Sequence, residues 1–133
     1  METNTDKAES IRDRYRALFG KVPQGIDARI TLGEISGRVE SIVAIENLRD
    51  ELIMKNPLGL TQGQLVHFGQ LIVLGRSGPA SSHATAAYKA GASIAELVGV
   101  AELALITGGM PAYALGVEII SKLVEDEAKS TEG

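Results

Sequence analysis

The stretch that decides the fold is Leu74-Gly75-Arg76-Ser77-Gly78-Pro79-Ala80-Ser81-Ser82-His83, which joins two apolar segments with helical spacing. Gly75 suits the end of the first segment. Pro79 suits the first helical residue of the second, because its fixed φ fits a helix and its missing N–H is not needed there. His83 follows about one turn later. The junction therefore predicts two consecutive helices, with an imidazole near the start of the second.

Helical signals continue along the rest of the chain. Ser93 followed by Glu96 forms the capping-box pattern, and so does Thr61 followed by Gln64. Alternating runs of β-branched and aromatic residues, which are typical of strands, do not occur in the sequence. The sequence therefore predicts a compact, all-α, multi-helix fold.

The length and composition of the chain predict a single domain. Its 133 residues are 44% hydrophobic and 23% charged, which is typical of one soluble globular domain with its own core. We expect residues 1–133 to form that domain. Residues 1–37 supply a charged, peripheral helix and a glycine-rich connector, and residues 38–128 supply the helical core.

Charge, cysteine content and targeting signals exclude several classes of protein. A net charge of −4 without a basic stripe argues against a nucleic-acid partner, and the absence of cysteine excludes thiolate chemistry. The polar segment at residues 1–14 does not resemble a secretion signal, so we expect a cytoplasmic protein. Residues 97–117 are apolar, but Glu102 and residues 108–111 interrupt them, which favours buried helices over a membrane span.

His83 and Arg76 are the first candidates for an active site. Imidazole has an unperturbed pKa of about 6.5 and therefore exchanges protons near neutral pH. A guanidinium such as Arg76 can hold a substrate carboxylate through two hydrogen bonds and stabilise developing charge. In the alternative interpretation, His83 bonds a nearby carbonyl or water. Arg76 would then tie helix ends together or pair with an acidic side chain at a subunit contact.

Glu102 is the second catalytic candidate. Val98, Leu105 and Ile106 surround it at helical spacing, so the sequence predicts a buried carboxylate. Burial raises the pKa of a carboxyl group, which would suit a general acid or base working beside His83. The alternative is an ion pair within the helix or between subunits, with no part in chemistry.

Further side chains are candidates for binding a substrate. A polar stripe on an apolar helix consists of Gln64, His67 and Gln70. It either lines the pocket or is the solvent-facing side of a surface helix. Tyr113 offers a hydroxyl donor, although aromatic residues in helices more often pack in a core or interface. The two histidines lack the spacing of a metal-binding motif, so we expect no metal and no cofactor.

An ordered set of motifs resembles the carboxymuconolactone decarboxylase and alkylhydroperoxidase D-like superfamily. The set spans about residues 58–123 and consists of Leu74-Gly75-Arg76, His83, Ala90-Gly91-Ala92-Ser93 with Glu96, and Gly109-Met110-Pro111-Ala112. This resemblance implies a compact all-α domain that assembles as a homo-oligomer, either a trimer or a hexamer. It also implies an active site near the histidine, often close to a subunit boundary.

The chain departs from that family at several positions. Members with peroxidase activity carry two cysteines where this chain has Arg76 and Pro79, so the resemblance does not extend to peroxide chemistry. Their relay glutamate falls at Gln64, an amide that takes up no proton at neutral pH. In the decarboxylase branch a glutamate and a histidine replace Ser77-Gly78, and a tyrosine replaces Thr107.

Together, the residues and the resemblance predict a cofactor-independent lyase or isomerase. Its substrate would be small, cyclic and carboxylated or carbonyl-bearing, and decarboxylation of a lactone acid is the favoured reaction. Arg76 would hold the acid group, while His83 and Glu102 would move the proton. The remaining contacts to the substrate would come from Gln64, His67 and Tyr113. The alternative is a non-catalytic ligand-binding or structural oligomer with the same fold.

Overall fold

The computed structural model describes residues 1–132, so Gly133, which the predicted domain includes, lies outside the described residues. Within that range the chain forms seven α-helices and no β-strand, which confirms the predicted all-α class. The helices are α1 (Asn4–Phe19), α2 (Ile26–Ser36), α3 (Val39–Arg49), α4 (Leu60–Val73), α5 (Ser77–Lys89), α6 (Ile94–Gly108) and α7 (Met110–Glu132). A π-helical turn, Asp50–Met54, continues α3. Among the described residues, no helix has both the length and the apolar character needed to cross a membrane.

The contacts between helices divide the chain into two compact units. The first unit is Met1–Pro57 and contains α1 to α3 with the π-helical turn, and the second begins at Leu58 and contains α4 to α7. The boundary follows Asn56-Pro57, where proline disfavours helical backbone at the residue before it. The arrangement of residues 1–133 as a single domain, with its core at 38–128, stays a prediction.

In the first unit, α1 packs against α2 and α3. Thr3 and Asp6 form a reciprocal capping box at the start of α1, and Gly20, at φ 81°, ends the helix. The buried side chains of α1 recur every three or four residues and are Ala8, Ile11, Tyr15 and Phe19. This spacing gives the charged helix one apolar face for packing.

A buried polar cluster joins α1 to α3. Glu46, only 4% exposed, accepts a hydrogen bond from the Tyr15 hydroxyl at 2.7 Å. Nε of Arg49 lies 3.6 Å from the other Glu46 oxygen, and its guanidinium lies 5.5 Å from the centre of the Tyr15 ring. Burial, and then the hydrogen bond to Glu46, raise the pKa of Tyr15. We call Tyr15, Glu46 and Arg49 the acid cluster.

In the second unit, α4 contacts α5, α6 and α7, and α6 packs along α7. The largest fully buried apolar side chains of this unit are Phe68, Ile72 and Leu97, and burying one such side chain contributes about 1.5–3 kcal/mol. The buried apolar side chains of α5 are all alanines, which allow close packing. Gly116 serves the same purpose on α7, because a Cβ there would come within 2.9 Å of the Ala101 Cβ.

The capping box predicted at Thr61 and Gln64 is wrong. Gly59, at φ 83° and ψ 161°, is the N-cap of α4, so Thr61 already lies within the helix. The Thr61 hydroxyl instead donates to the Ala90 carbonyl at 2.7 Å, which ties the start of α4 to the end of α5. Gln64 is thereby available for a different contact.

The other helix starts in this unit follow the sequence more closely. The capping box of Ser93 and Glu96 is confirmed, because each backbone amide bonds the other residue's side chain. Gly75 adopts the left-handed conformation at φ 73°, which a residue with a Cβ would adopt only with strain. Helix α5 then begins at Ser77, two residues before Pro79. The predicted junction between two helices is therefore confirmed.

Candidate active site

His83 lies on the inner side of α5 and is 7% exposed. Ala80, Ala84 and Ala87 of the same helix are in the core, and α5 makes extensive contact with α4. Because these neighbours are small, the imidazole ring can reach the polar side chains of α4 without a void between the helices. The helix pair thus holds a titratable group in largely apolar surroundings.

Gln64 of α4 is the first polar partner of this imidazole. Its side chain is 1% exposed, and its Oε1 lies 2.5 Å from Nδ1 of His83. A buried amide that lost such a partner would keep the full cost of leaving water, about 1–3 kcal/mol. The contact therefore fixes the positions of both side chains.

His67 lies one turn further along α4 and is the second partner. Its Nδ1 is 3.3 Å from Nδ1 of His83, and the two rings meet edge to face, with centroids 4.5 Å apart and an angle of 85° between planes. We call Gln64, His67 and His83 the imidazole cluster. Gln70, the third residue of the predicted polar stripe, is exposed, so the stripe divides between two surroundings.

Arg76 is the N-cap of α5 and is exposed. It precedes His83 by seven positions, which is close to two helical turns and about 10 Å along the helix axis. The two residues therefore lie near the same side of α5. A guanidinium at that distance can hold one end of a small acid whose other end reaches the imidazole.

Glu102 is exposed, so its predicted burial is wrong. The buried stripe of α6 consists of Leu97, Ala101 and Ala104. Val98, Glu102 and Ile106 follow one another at four-residue spacing outside that stripe, and all three are exposed. The prediction of burial was wrong because Val98 and Ile106, the apolar neighbours of Glu102, are themselves on the surface of the chain.

Tyr113 lies in the first turn of α7 and packs, partly buried, against the core of the second unit. Helix α7 contacts both α4 and α5, the two helices that carry the imidazole cluster. Within residues 1–132, no group of three or more His, Cys, Asp or Glu side chains is arranged to hold a metal ion.

An apolar groove of about 590 Å³ lies between α4 and α6. Its lining residues are Leu65, Val66, Gly69, Gln70, Val73, Leu74, Val100, Leu103, Ala104 and Thr107. No member of the imidazole cluster lines it. Helix α4 therefore presents an apolar side to α6 and a polar, hydrogen-bonding side to α5.

Three comparisons with known proteins bear on the fold. No protein-family profile matches the sequence, and no curated protein matches it either. A crystal structure described as a "putative carboxymuconolactone decarboxylase" from Burkholderia xenovorans LB400 matches with a TM-score of 0.77 and 24% identity, over 98% of each chain. The ordered motifs around His83 predicted this similarity. The chain therefore has the all-α fold of the carboxymuconolactone decarboxylase and alkylhydroperoxidase D-like proteins.

Proposed function

We propose that the chain is a lyase or isomerase that uses His83 to move a proton on a small carbonyl-bearing acid. The observation that carries this proposal is a buried imidazole whose Nδ1 is held by the buried amide of Gln64. A base that is already oriented needs no rearrangement during the reaction. With Nδ1 engaged, Nε2 is the nitrogen that exchanges a proton with the substrate.

Decarboxylation is the favoured reaction within this proposal. The bond between the α-carbon and the carboxylate breaks, carbon dioxide leaves, and the electron pair of that bond enters the conjugated carbonyl as an enolate. Protonated His83 then gives its proton to carbon, and water restores it. The position of Arg76 at the start of α5 supports a role for this residue in orienting an acid group of the substrate, and in this proposal the alanines of α5 help to exclude water.

The other predicted site residues take different parts. Gln64 and His67 support His83 directly, whereas Tyr113 stays a predicted substrate contact. The proposal retains Glu102 as a catalytic group only in an assembly where a second subunit covers it, because it is exposed in the single chain. The fold similarity supports decarboxylase-like chemistry, because the matching structure carries that description.

The proposal includes the predicted homo-oligomer, a trimer or hexamer. Several large apolar side chains of the second unit are more than 60% exposed in the single chain: Leu74, Leu103, Ile106 and Met110. Exposed apolar patches of this kind usually mark interaction surfaces. The cytoplasmic location stays a prediction from the sequence.

A second candidate function is a non-catalytic ligand-binding or structural oligomer. The observation in its favour is that Gln64, an amide, occupies the position of the family's relay glutamate. An amide can orient an imidazole but cannot pass a proton to it. In this alternative the imidazole cluster would bind a small acid without changing it.

A substrate survey with one variant tests the proposal. The wild type is incubated with small lactone and aromatic carboxylic acids in D₂O, and NMR follows carbon dioxide loss or deuterium uptake at carbon. We expect His83→Asn, which can still donate to Gln64 but neither takes up nor releases a proton near neutral pH, to lower turnover about 10²–10⁴-fold. Ser81→Ala, an exposed position two residues earlier in α5, is the matched control.

The outcomes separate the two functions. Turnover by His83→Asn within a few-fold of wild type would remove His83 from the chemistry. Saturable binding of an acid by the wild type without any turnover would favour the ligand-binding alternative. Circular dichroism of both variants checks that the helices remain intact.

A further inference from the structure

The two histidines meet through the same atom of each ring. Nδ1 of His67 and Nδ1 of His83 are 3.3 Å apart, which is a long hydrogen-bond distance. A neutral imidazole donates from one nitrogen and accepts at the other. Two bare Nδ1 atoms would set lone pairs against each other, and two protonated ones would set donors against each other. The contact is therefore favourable only with one proton between the rings.

Gln64 determines which ring holds that proton. Its Oε1 faces Nδ1 of His83, and an amide oxygen only accepts hydrogen bonds. Nδ1 of His83 must then carry the proton, which it donates mainly to Gln64 and secondarily to His67. Nδ1 of His67 is consequently the acceptor, and its own proton lies on Nε2.

We propose that Gln64 and His67 are two neutral acceptors that hold His83 in the Nδ1–H tautomer, and that the histidine pair takes up a single proton, at Nε2 of His83. His67 is thus a positioning residue that acts through His83. This inference deepens the proposed function and rests on it for its catalytic meaning. The proton arrangement itself follows from the geometry of the cluster alone.

The pair takes up one proton because the two sites of uptake have opposite effects on the cluster. A proton on Nε2 of His83 leaves both acceptors in place and strengthens their bonds, since the donor becomes charged. A proton on His67 must go to Nδ1, the atom that accepts from His83. That proton would make Nδ1 of both rings a donor, so the contact would become repulsive. It would also place a positive charge next to His83, which can itself be protonated.

The helices that carry the cluster contribute no carboxylate to it. No Asp or Glu occurs between Glu51 and Glu96, and α4 has no charged side chain. The only charged residue within α5 is Lys89, which is exposed in its last turn. The other titratable groups on α5, α6 and residues 110–122 of α7 are the exposed Glu96, Glu102, Glu118 and Lys122 and the partly buried Tyr88 and Tyr113.

This arrangement has a consequence for the substrate. In a serine protease, an aspartate stabilises the imidazolium that forms during the reaction. Here the two acceptors are neutral, so the cluster itself adds no negative charge to offset a protonated His83. The carboxylate of a bound substrate would add negative charge beside protonated His83 and stabilise it. The proposed substrate class is therefore a carboxylic acid rather than a neutral ester or ketone.

Nitrogen NMR of the full chain, labelled with ¹⁵N-histidine and free of substrate, tests the proton arrangement. Near pH 8 we expect His83 protonated at Nδ1 and His67 protonated at Nε2. On acidification we expect one imidazole, His83, to titrate at least about one pH unit before the other, because a charged ring disfavours charge on its neighbour. The wild type alone gives this result, so no variant needs to fold.

Two substitutions of His67 then test its role. His67→Asn keeps an acceptor near the position of Nδ1, whereas His67→Phe keeps a ring but removes the acceptor. We expect His67→Phe to lower the titration midpoint of His83 by about half a pH unit, because the charged form loses a hydrogen bond, and His67→Asn to restore it. With a substrate in hand, His67→Phe should lower kcat several-fold with little change in KM.

Several results would overturn the inference. These are a proton on Nε2 of neutral His83, simultaneous titration of both rings, and equal midpoints for the Phe and Asn variants of His67. A chelator that changes both Nδ1 signals would also overturn it, since the two atoms would then hold a metal ion rather than a proton. If the tautomers are as stated but no acid is turned over, only the proposed function fails. If an acid is turned over but the tautomers differ from those stated, the proposed function stands and the inference fails.

Discussion

The two units of the chain each contain a polar cluster of three side chains, at least two of them buried, on two helices, but only one of the clusters contains a carboxylate and a guanidinium. The acid cluster sets a carboxylate between a phenol and a guanidinium, so the negative charge of Glu46 has a cation beside it. The imidazole cluster contains an amide and two imidazoles, all of them neutral in their basic forms.

This difference indicates which cluster can perform chemistry. A buried charge that is already paired resists changes in protonation, because any change leaves a partner uncompensated. A cluster of neutral groups with a titratable nitrogen can accept and return a proton with little loss. The acid cluster is therefore suited to holding α1 against α3, and the imidazole cluster is suited to proton transfer.

The largest expected effect comes from removing the cation of the acid cluster. Arg49→Gln removes the cation beside the Glu46 carboxylate, 4% exposed, and leaves the hydrogen bond from the Tyr15 hydroxyl, so we expect a loss of about 2–3 kcal/mol in the free energy of unfolding. Urea denaturation measures this loss. Arg14→Gln, which breaks a more exposed 3.8 Å pair with Asp50 and a hydrogen bond to Asn47, should cost under about 1 kcal/mol. Equal costs for the two variants would remove the distinction between the clusters.

A carboxylate placed in the imidazole cluster makes it resemble the acid cluster. Gln64→Glu puts a negative charge against Nδ1 of His83, so we expect its titration midpoint to rise by at least about one pH unit, or about 1.4 kcal/mol. Histidine NMR measures the shift. Gln62→Glu adds the same charge at an exposed position of α4 and should leave the midpoint nearly unchanged. A shift of the same size in both variants would mean that the contact does not matter.

The smallest effect concerns the phenol of the acid cluster. Tyr15→Phe removes one hydrogen bond to Glu46 and should cost about 1 kcal/mol at pH 7. Because the pKa of Tyr15 is raised in the folded chain, this stabilisation is complete below pH 10 and is lost as the pH rises further. Denaturation between pH 8 and 11 should therefore show the wild type approaching the variant. Tyr88→Phe is the matched control, and a gap that stays constant with pH would contradict the expectation.

The sequence predicted helix type and order well, because Gly, Pro and capping residues act locally. Ser93 and Thr61 show that a local sequence pattern does not always identify an N-cap, since both begin the same four-residue pattern. Only Ser93 has the extended backbone of an N-cap, at ψ 160°. Gly59 occupies that position two residues before Thr61, so the hydroxyl bonds Ala90, far along the chain.

The candidate site was predictable in part. His83 is identifiable from its place after a helix junction, and Gln64 and His67 from their spacing on α4. Their meeting is a tertiary contact between α4 and α5, and no spacing within one helix reports it. Glu102 was misplaced because its apolar neighbours indicate burial only if they face the core of the same chain. Exposed residues such as Ile106 give the same sequence signal.

The π-helical turn at Asp50–Met54 also has a consequence for the evolution of the chain. Its hydrogen bonds span five residues instead of four, so the turn contains one residue more than an α-helical turn needs. Loss of one codon from this segment would let α3 continue as a regular helix, and the residues after it would keep nearly the same orientation because the wider turn already absorbs the extra residue. Related genes should therefore differ in length by single codons at this point more readily than elsewhere in the helix.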